Sequence, residues 1–151
     1  KFGVFSQHRY HGYCQALELA GISIEPTYLR QCNPSREEGR LMALELLNLP
    51  TPPTAIFAYS DLQALGALEA AREMNLSVPG DLSVIGYDDI DTAHFAQLTT
   101  VRQYLFEAGM QGVEYLLDAI ESPNLPPIHI QLPTDLVVRQ TTASPGQSKI
   151  T

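Results

Sequence analysis

Two adjacent carboxylates close a short apolar run, Leu82-Ser-Val-Ile-Gly-Tyr-Asp-Asp89. An ionised carboxylate accepts several hydrogen bonds, and a polyol supplies donors in vicinal pairs, so Asp88 is suited to holding a hydroxyl-rich ligand. Asp89 alternates with it on an extended backbone and should point elsewhere, as a cap for the following loop. A cation held by Asp88, Asp89 and Asp91 would need a supporting histidine and carboxylate constellation, which is missing, so no metal is expected. His8 and His11 stand three apart on a helical pattern, a spacing that can hold a metal, but a third ligand is lacking and they read as surface histidines. Catalysis is not expected either. The sequence holds no nucleophile elbow, phosphate loop or Ser/His/Asp set, and Gly109-Met-Gln-Gly112 lies inside a helical pattern with no strand leading into it.

The elements that must position Asp88 follow from the same stretch. Leu82, Val84 and Ile85, bounded by Pro79-Gly80-Asp81 and Gly86, have the length and β-branched content of a strand buried on both faces. Residues 54 to 58, with Ala55-Ile-Phe-Ala58, read as a second buried strand. Ser60-Asp61 then offers an N-cap to a helix over 61–74, which Asn75 can stop in the left-handed region. A right-handed crossover between parallel strands puts both carboxyl ends on one sheet edge, where open α/β sheets bind ligands. Ser60, Asp88 and Asp89 should therefore lie near one another.

The rest of the chain alternates in the same way. Phe2, Val4 and Phe5 hint at a strand end. Tyr10, Tyr13, Cys14 and Leu17 predict a helix over 6–20 stopped by Gly21, and Pro26 to Arg30 read as a weak strand. Ser35 and Glu38 form a capping-box pattern ahead of a second helix that ends at Leu49-Pro50. Beyond the central strand, a polar loop from Asp88 to Leu98 exposes His94 and Phe95, and Thr99 to Gln103 favour β structure. A helix over 104–121 carries a broad apolar face and ends at Ser122-Pro123. Short strands are expected at Ile128 to Leu132 and Leu136 to Val138, and the polar tail from Ala143 should be flexible.

Composition sets the outer bounds. The 151 residues suffice for one domain with a core, 44% are apolar, and no run approaches a membrane span. Nine basic residues against seventeen acidic ones give a net charge of −8, which argues against a DNA-binding surface within this chain. Cys14 and Cys32 lack CxxC spacing and are too few for a disulfide framework, so reduced cytoplasmic thiols are expected. The sequence begins at Lys1 without a methionine, and its natural start is expected upstream.

Several linked motifs say more than alternation can. Pro53-Thr-Ala-Ile-Phe-Ala58, Ser60-Asp-Leu-Gln-Ala-Leu-Gly-Ala67, Val78-Pro-Gly-Asp-Leu-Ser-Val-Ile-Gly-Tyr-Asp-Asp89 and Leu98-Thr-Thr-Val-Arg-Gln103 resemble the effector-binding domain of the lactose-repressor/galactose-repressor family of bacterial transcription regulators. Arg9-Tyr-His-Gly-Tyr13 and Leu132-Pro-Thr-Asp-Leu-Val-Val-Arg139 extend the match, which runs in order from residue 9 to about 143. The resemblance implies a three-layer α/β/α parallel sheet, an incomplete periplasmic-binding-protein-like lobe. Residues 1–102 would form most of the C-terminal lobe, 103–131 a segment of an otherwise missing N-terminal lobe, and 132–142 the return strand, followed by a flexible tail over 143–151. The helix over 104–121 would then lack its home sheet, and self-association or poor order of the isolated chain is expected.

Function follows from the same resemblance, as an expectation. It implies a repressor that senses a sugar or related metabolite, with Arg9, Ser60, Asp88 and Gln103 as effector contacts and Leu65, Leu68 and Phe95 in a homodimer interface. Operator DNA would be bound only through an N-terminal helix-turn-helix absent from this chain, in the cytoplasm, without cofactor or membrane. Asn33-Pro34 stands where sugar- and purine-binding members often carry an aromatic residue, so ligand class does not carry over. The other reading is the solute-binding protein of a transporter, without DNA binding.

Overall fold

The computed structural model describes residues 4–122 and 124–144. Its core is a four-stranded sheet with order β1-β2-β3-β4, formed by Ala55–Phe57, Ser83–Asp88, Thr99–Gln103 and Thr134–Val137. The first three strands are parallel, with Ile56 opposite Val84 and Ile85 opposite Thr99, and β4 joins antiparallel with Val101 opposite Leu136. The expected parallel pair therefore exists, and the return strand adds an antiparallel edge. Residues beyond β4 tie back across the sheet. Thr141 Oγ1 donates to the Val84 carbonyl at 2.7 Å and accepts from the Thr99 amide at 2.9 Å.

Two helices cover one face. α2 (Arg36–Leu47) starts where Ser35 Oγ accepts from the Glu38 amide, as its capping pattern predicts. The Glu38 carboxylate instead accepts from the Asn33 side chain. α3 (Asp61–Glu73) starts at Ser60 and lays Ala64, Ala67, Ala70 and Ala71, all buried, beneath Val84 and Leu82. Small side chains let the helix backbone approach the sheet. Gly39 and Gly66 do the same between the helices: a Cβ on Gly66 would lie 2.1 Å from the Arg36 carbonyl oxygen. Asn75 stops α3 at φ 57°, and Gly21, at φ 68°, follows α1 (Val4–Leu19).

The structure corrects five local expectations. Val4 already lies in α1, so the strand end expected at Phe2, Val4 and Phe5 is absent there, and Phe2 lies outside the described residues. Pro26–Tyr28 is a 3-10 turn because Pro26 brings a helical φ and no N–H for a ladder, and β1 is left as the sheet's edge. The loop after β2 contains a short helix, α4 (Asp91–Phe95), carrying His94 and Phe95. Residues 128–132 form no strand, since Pro126 and Pro127 remove ladder donors just before them. The last strand runs Thr134–Val137.

α5 (Leu105–Glu121) is built as its periodicity predicts but buries none of its residues. Phe106, Val113, Leu117 and Ile120 are each more than half exposed. Residues 145–151, most of the expected flexible tail, and Pro123 lie outside the described residues.

Candidate functional site

The last residue of β2 and the one after it both lie in the left-handed half of φ, Asp88 at 117° and Asp89 at 57°. An extended strand would alternate these side chains, and the double kink sends them to separate partners. Asp88 turns toward α1 and β3. Its Oδ1 accepts from Gln103 Nε2 at 2.6 Å and lies 3.6 Å from Arg9 Nη2. Among the described residues none bonds the second oxygen, Oδ2, which leaves an acceptor for a ligand.

Arg9 is fixed from three sides. Its guanidinium sits 3.7 Å from the Tyr87 ring centre and 4.2 Å from that of Tyr59, and Nη1 donates to the Tyr59 carbonyl. Cation–π contact and the hydrogen bond hold the planar fork beside Asp88 with few rotamers left. Burial pushes the Asp88 carboxyl up, Arg9 and Gln103 pull it down, and Asp61 adds to the rise, so the net value stands above the ordinary range. Asp88 and Arg9 are still partly open to solvent, at 26% and 17% side-chain exposure, so a ligand can reach them.

Asp89 points away from Asp88, though through the kink and not through the alternation of an extended strand. Arg139 Nη2 donates to it at 2.6 Å and Arg102 Nε at 2.7 Å, and Arg139 also donates to the Leu98 carbonyl. Burial alone would raise the Asp89 carboxyl, but the two guanidinium groups outweigh it and hold it below the usual range.

Of the four expected effector contacts, Arg9, Asp88 and Gln103 converge. Ser60 does not join them: it is buried, and its hydroxyl accepts from the Gln63 amide as the cap of α3. Sequence reasoning missed Tyr59, Tyr87 and Asp61. The tyrosines carried a usable signal, since each stands at the carboxyl end of a parallel strand. Asp61 was taken only as part of a cap, yet it is wholly buried and accepts from Thr100 Oγ1 at 2.6 Å and the Ile90 amide at 2.9 Å. Burial raises its carboxyl, against the lowering effect of those bonds.

A cavity of about 790 Å³ begins at Arg9 and runs along the outer edge of β1, walled by Tyr13, Tyr28, Cys32, Met42 and Gln63. Asp88 and Gln103 do not line it, so Arg9 is the one member of the polar cluster that it shares. The chemistry lies with the cluster, where charge and hydrogen-bonding capacity converge. Among the described residues no three His, Cys, Asp or Glu side chains gather as a metal site.

The sequence profile described as periplasmic binding protein-like domain matches residues 3–142. The chain is 39% identical over 137 residues to the HTH-type transcriptional repressor CytR of Escherichia coli, covering 89% of this chain and 40% of that one. Among solved structures it is similar to a putative LacI transcriptional regulator from Bacillus cereus subsp. cytotoxis, with TM-score 0.86 and 32% identity over 91% of this chain and 49% of that one. It is also similar to a LacI-family regulator from Enterococcus faecium with bound ribose, at TM-score 0.83 and 33% identity over 89% and 51% of the two chains. The chain thus spans about two fifths of the curated relative and half of the solved structures.

Proposed function

The chain belongs to the periplasmic binding protein-like domain family, in the form carried by LacI-family regulators, and from that premise we propose that it is the effector-binding and dimerisation region of a bacterial repressor. The observation that carries this reading is the convergence of Arg9, Gln103 and Asp88 at the carboxyl ends of parallel strands. A carboxylate with one oxygen unbonded by described residues, beside a guanidinium and an amide, matches the paired hydroxyls of a sugar or related metabolite. The function is binding; the cluster lacks a nucleophile and base pair.

In this reading residues 1–102 supply most of one lobe, 103–131 belong to the other, and 132–142 return. The effector lies between the lobes and shifts a two-state element that also sets the spacing of DNA-binding modules in a cytoplasmic homodimer. Effector and operator affinity are then coupled reciprocally. Similarity to named repressors favours this over a transporter's solute-binding protein, as does the net charge of −8, which leaves DNA contact to another module.

Calorimetric titration of the full-length protein with D-ribose, other pentoses, hexoses and disaccharides tests the proposal. One of them should bind, and Asp88→Ala should remove the binding. Binding by none, or binding indifferent to Asp88→Ala, would sink it.

A further inference from the structure

We propose that Asp61 is the positioning residue for Asp88, holding the kink at the end of β2 that aims the ligand-binding carboxylate; this rests on the effector-site reading above. Asp61 stands at the first position of α3, yet its carboxylate bonds none of the first amides of that helix. It reaches across to Thr100 Oγ1 on β3 at 2.6 Å and to the Ile90 amide at 2.9 Å. The carboxylate therefore grips the backbone at Ile90, two residues beyond Asp88, and ties it to β3.

The kink needs such a grip. Asp88 and Asp89 both hold positive φ, a conformation that non-glycine residues leave unless their surroundings over-determine it. With that kink, Asp88 meets Gln103 and Arg9 while Asp89 meets Arg102 and Arg139. Without it the two carboxylates would alternate along an extended strand and the Gln103 bond would be lost. Space for Asp61 is provided by Gly86, where an added Cβ would lie 2.2 Å from Asp61 Oδ1. An apolar side chain would fill the same buried volume at lower desolvation cost, so packing alone does not account for a carboxylate there.

The side-chain amide resonance of Gln103, assigned by its disappearance in Gln103→Met, reports the Asp88 geometry without any ligand. Asp88→Ala in the full-length protein marks the unbonded position. Asp61→Asn should move the Gln103 signal most of the way there, and Thr100→Val, which removes one donor and keeps the shape, should move it part of the way. Affinity for whichever sugar of the panel binds should fall about tenfold in Asp61→Asn, the effect of one charge-assisted hydrogen bond. An unmoved Gln103 signal in folded Asp61→Asn overturns the proposal, as does equal movement in Ala70→Gly, which loosens α3 away from these bonds. Should Asp61→Asn not fold, Thr100→Val decides by the same signal. A wild-type protein that binds no sugar of the panel overturns the effector reading and leaves the Gln103 signal to judge Asp61.

Discussion

Gln103 Nε2 donates to Asp88 Oδ1 at 2.6 Å across the ends of β3 and β2, so the amide and the carboxylate are joined at one edge of the sheet. Asp88→Asn keeps the shape and removes the charge that would accept ligand hydroxyls. Sugar affinity should fall about a hundredfold, the loss of two charge-assisted hydrogen bonds, measured by calorimetry on the full-length protein. Folding should not suffer. Because burial raises the Asp88 carboxyl above its unfolded value, the folded state binds the proton more tightly, and its charged form opposes folding. The wild type should therefore gain on Asp88→Asn as pH falls through the raised value, a difference readable in melting temperatures. A variant that lost affinity and melted far lower would point to a structural role instead.

Acid should act in the opposite direction on Asp89. Its carboxyl is held low by Arg139 and Arg102, so its contribution is present above the unfolded value of about 3.9 and is lost as pH falls through the depressed folded value. Arg139→Met leaves a nearly buried carboxylate with one guanidinium, and should cost about 2–3 kcal/mol at pH 7. The gap between wild type and variant should narrow in denaturant titrations as pH falls below about 4, where Asp89 of the unfolded chain takes up its proton, and on toward the depressed folded value. A gap that stayed constant with pH would mean that Arg139 acts through its bond to the Leu98 carbonyl.

Gly66→Ala adds one methyl group and should cost more than 2 kcal/mol, beyond the usual overpacking range's lower end of about 1 kcal/mol. The new Cβ would meet Arg36 and Arg40 backbone atoms at 2.1 and 2.6 Å, and backbone cannot rotate away as a side chain can. α2 and α3 would have to separate. Gly109→Ala in α5, where a Cβ meets nothing within 4 Å, is the control and should be neutral or slightly stabilising. Chemical denaturation of both variants checks the contrast.

What the sequence made legible was the part governed by local rules. The short β-branched run between Gly80 and Gly86 placed β2, the Ser35 and Ser60 caps placed α2 and α3, and Asn75 ended α3 as its tolerance of positive φ allows. Pro26 misled because a proline suits a strand edge and a helical first turn alike. Within the site, Asp88 was visible from its place at a strand end. Asp61 was not, since a Ser-Asp pair before a helix reads as a cap whether the aspartate bonds its own helix or, as here, residues about 30 and 39 positions away. Strand-end positions marked Tyr59 and Tyr87 as candidates, but their clamp on Arg9 depends on the long-range placement of α1, which no local pattern encodes.

Leu65, Leu68 and Phe95, the three side chains expected in a homodimer interface, occupy different environments and should respond differently to substitution. Leu68 packs against the buried core, Leu65 is half-buried, and Phe95 is 84% exposed on α4. Leu68 and Ala96 border one shallow groove, so α3 and the end of α4 share a surface. An exposed phenyl ring beside that surface would lose water contact on dimerisation, and as an interface anchor it would contribute about 2 kcal/mol or more. Phe95→Glu should accordingly weaken dimerisation of the full-length protein by about thirtyfold or more, seen as a concentration-dependent shift in sedimentation velocity, with its melting temperature as a monomer unchanged. Leu68→Ala should do the reverse, lowering stability by about 2 kcal/mol through the cavity it leaves while altering association less. If Phe95→Glu sediments as the wild type does, the interface lies elsewhere, and the exposed ring needs another partner.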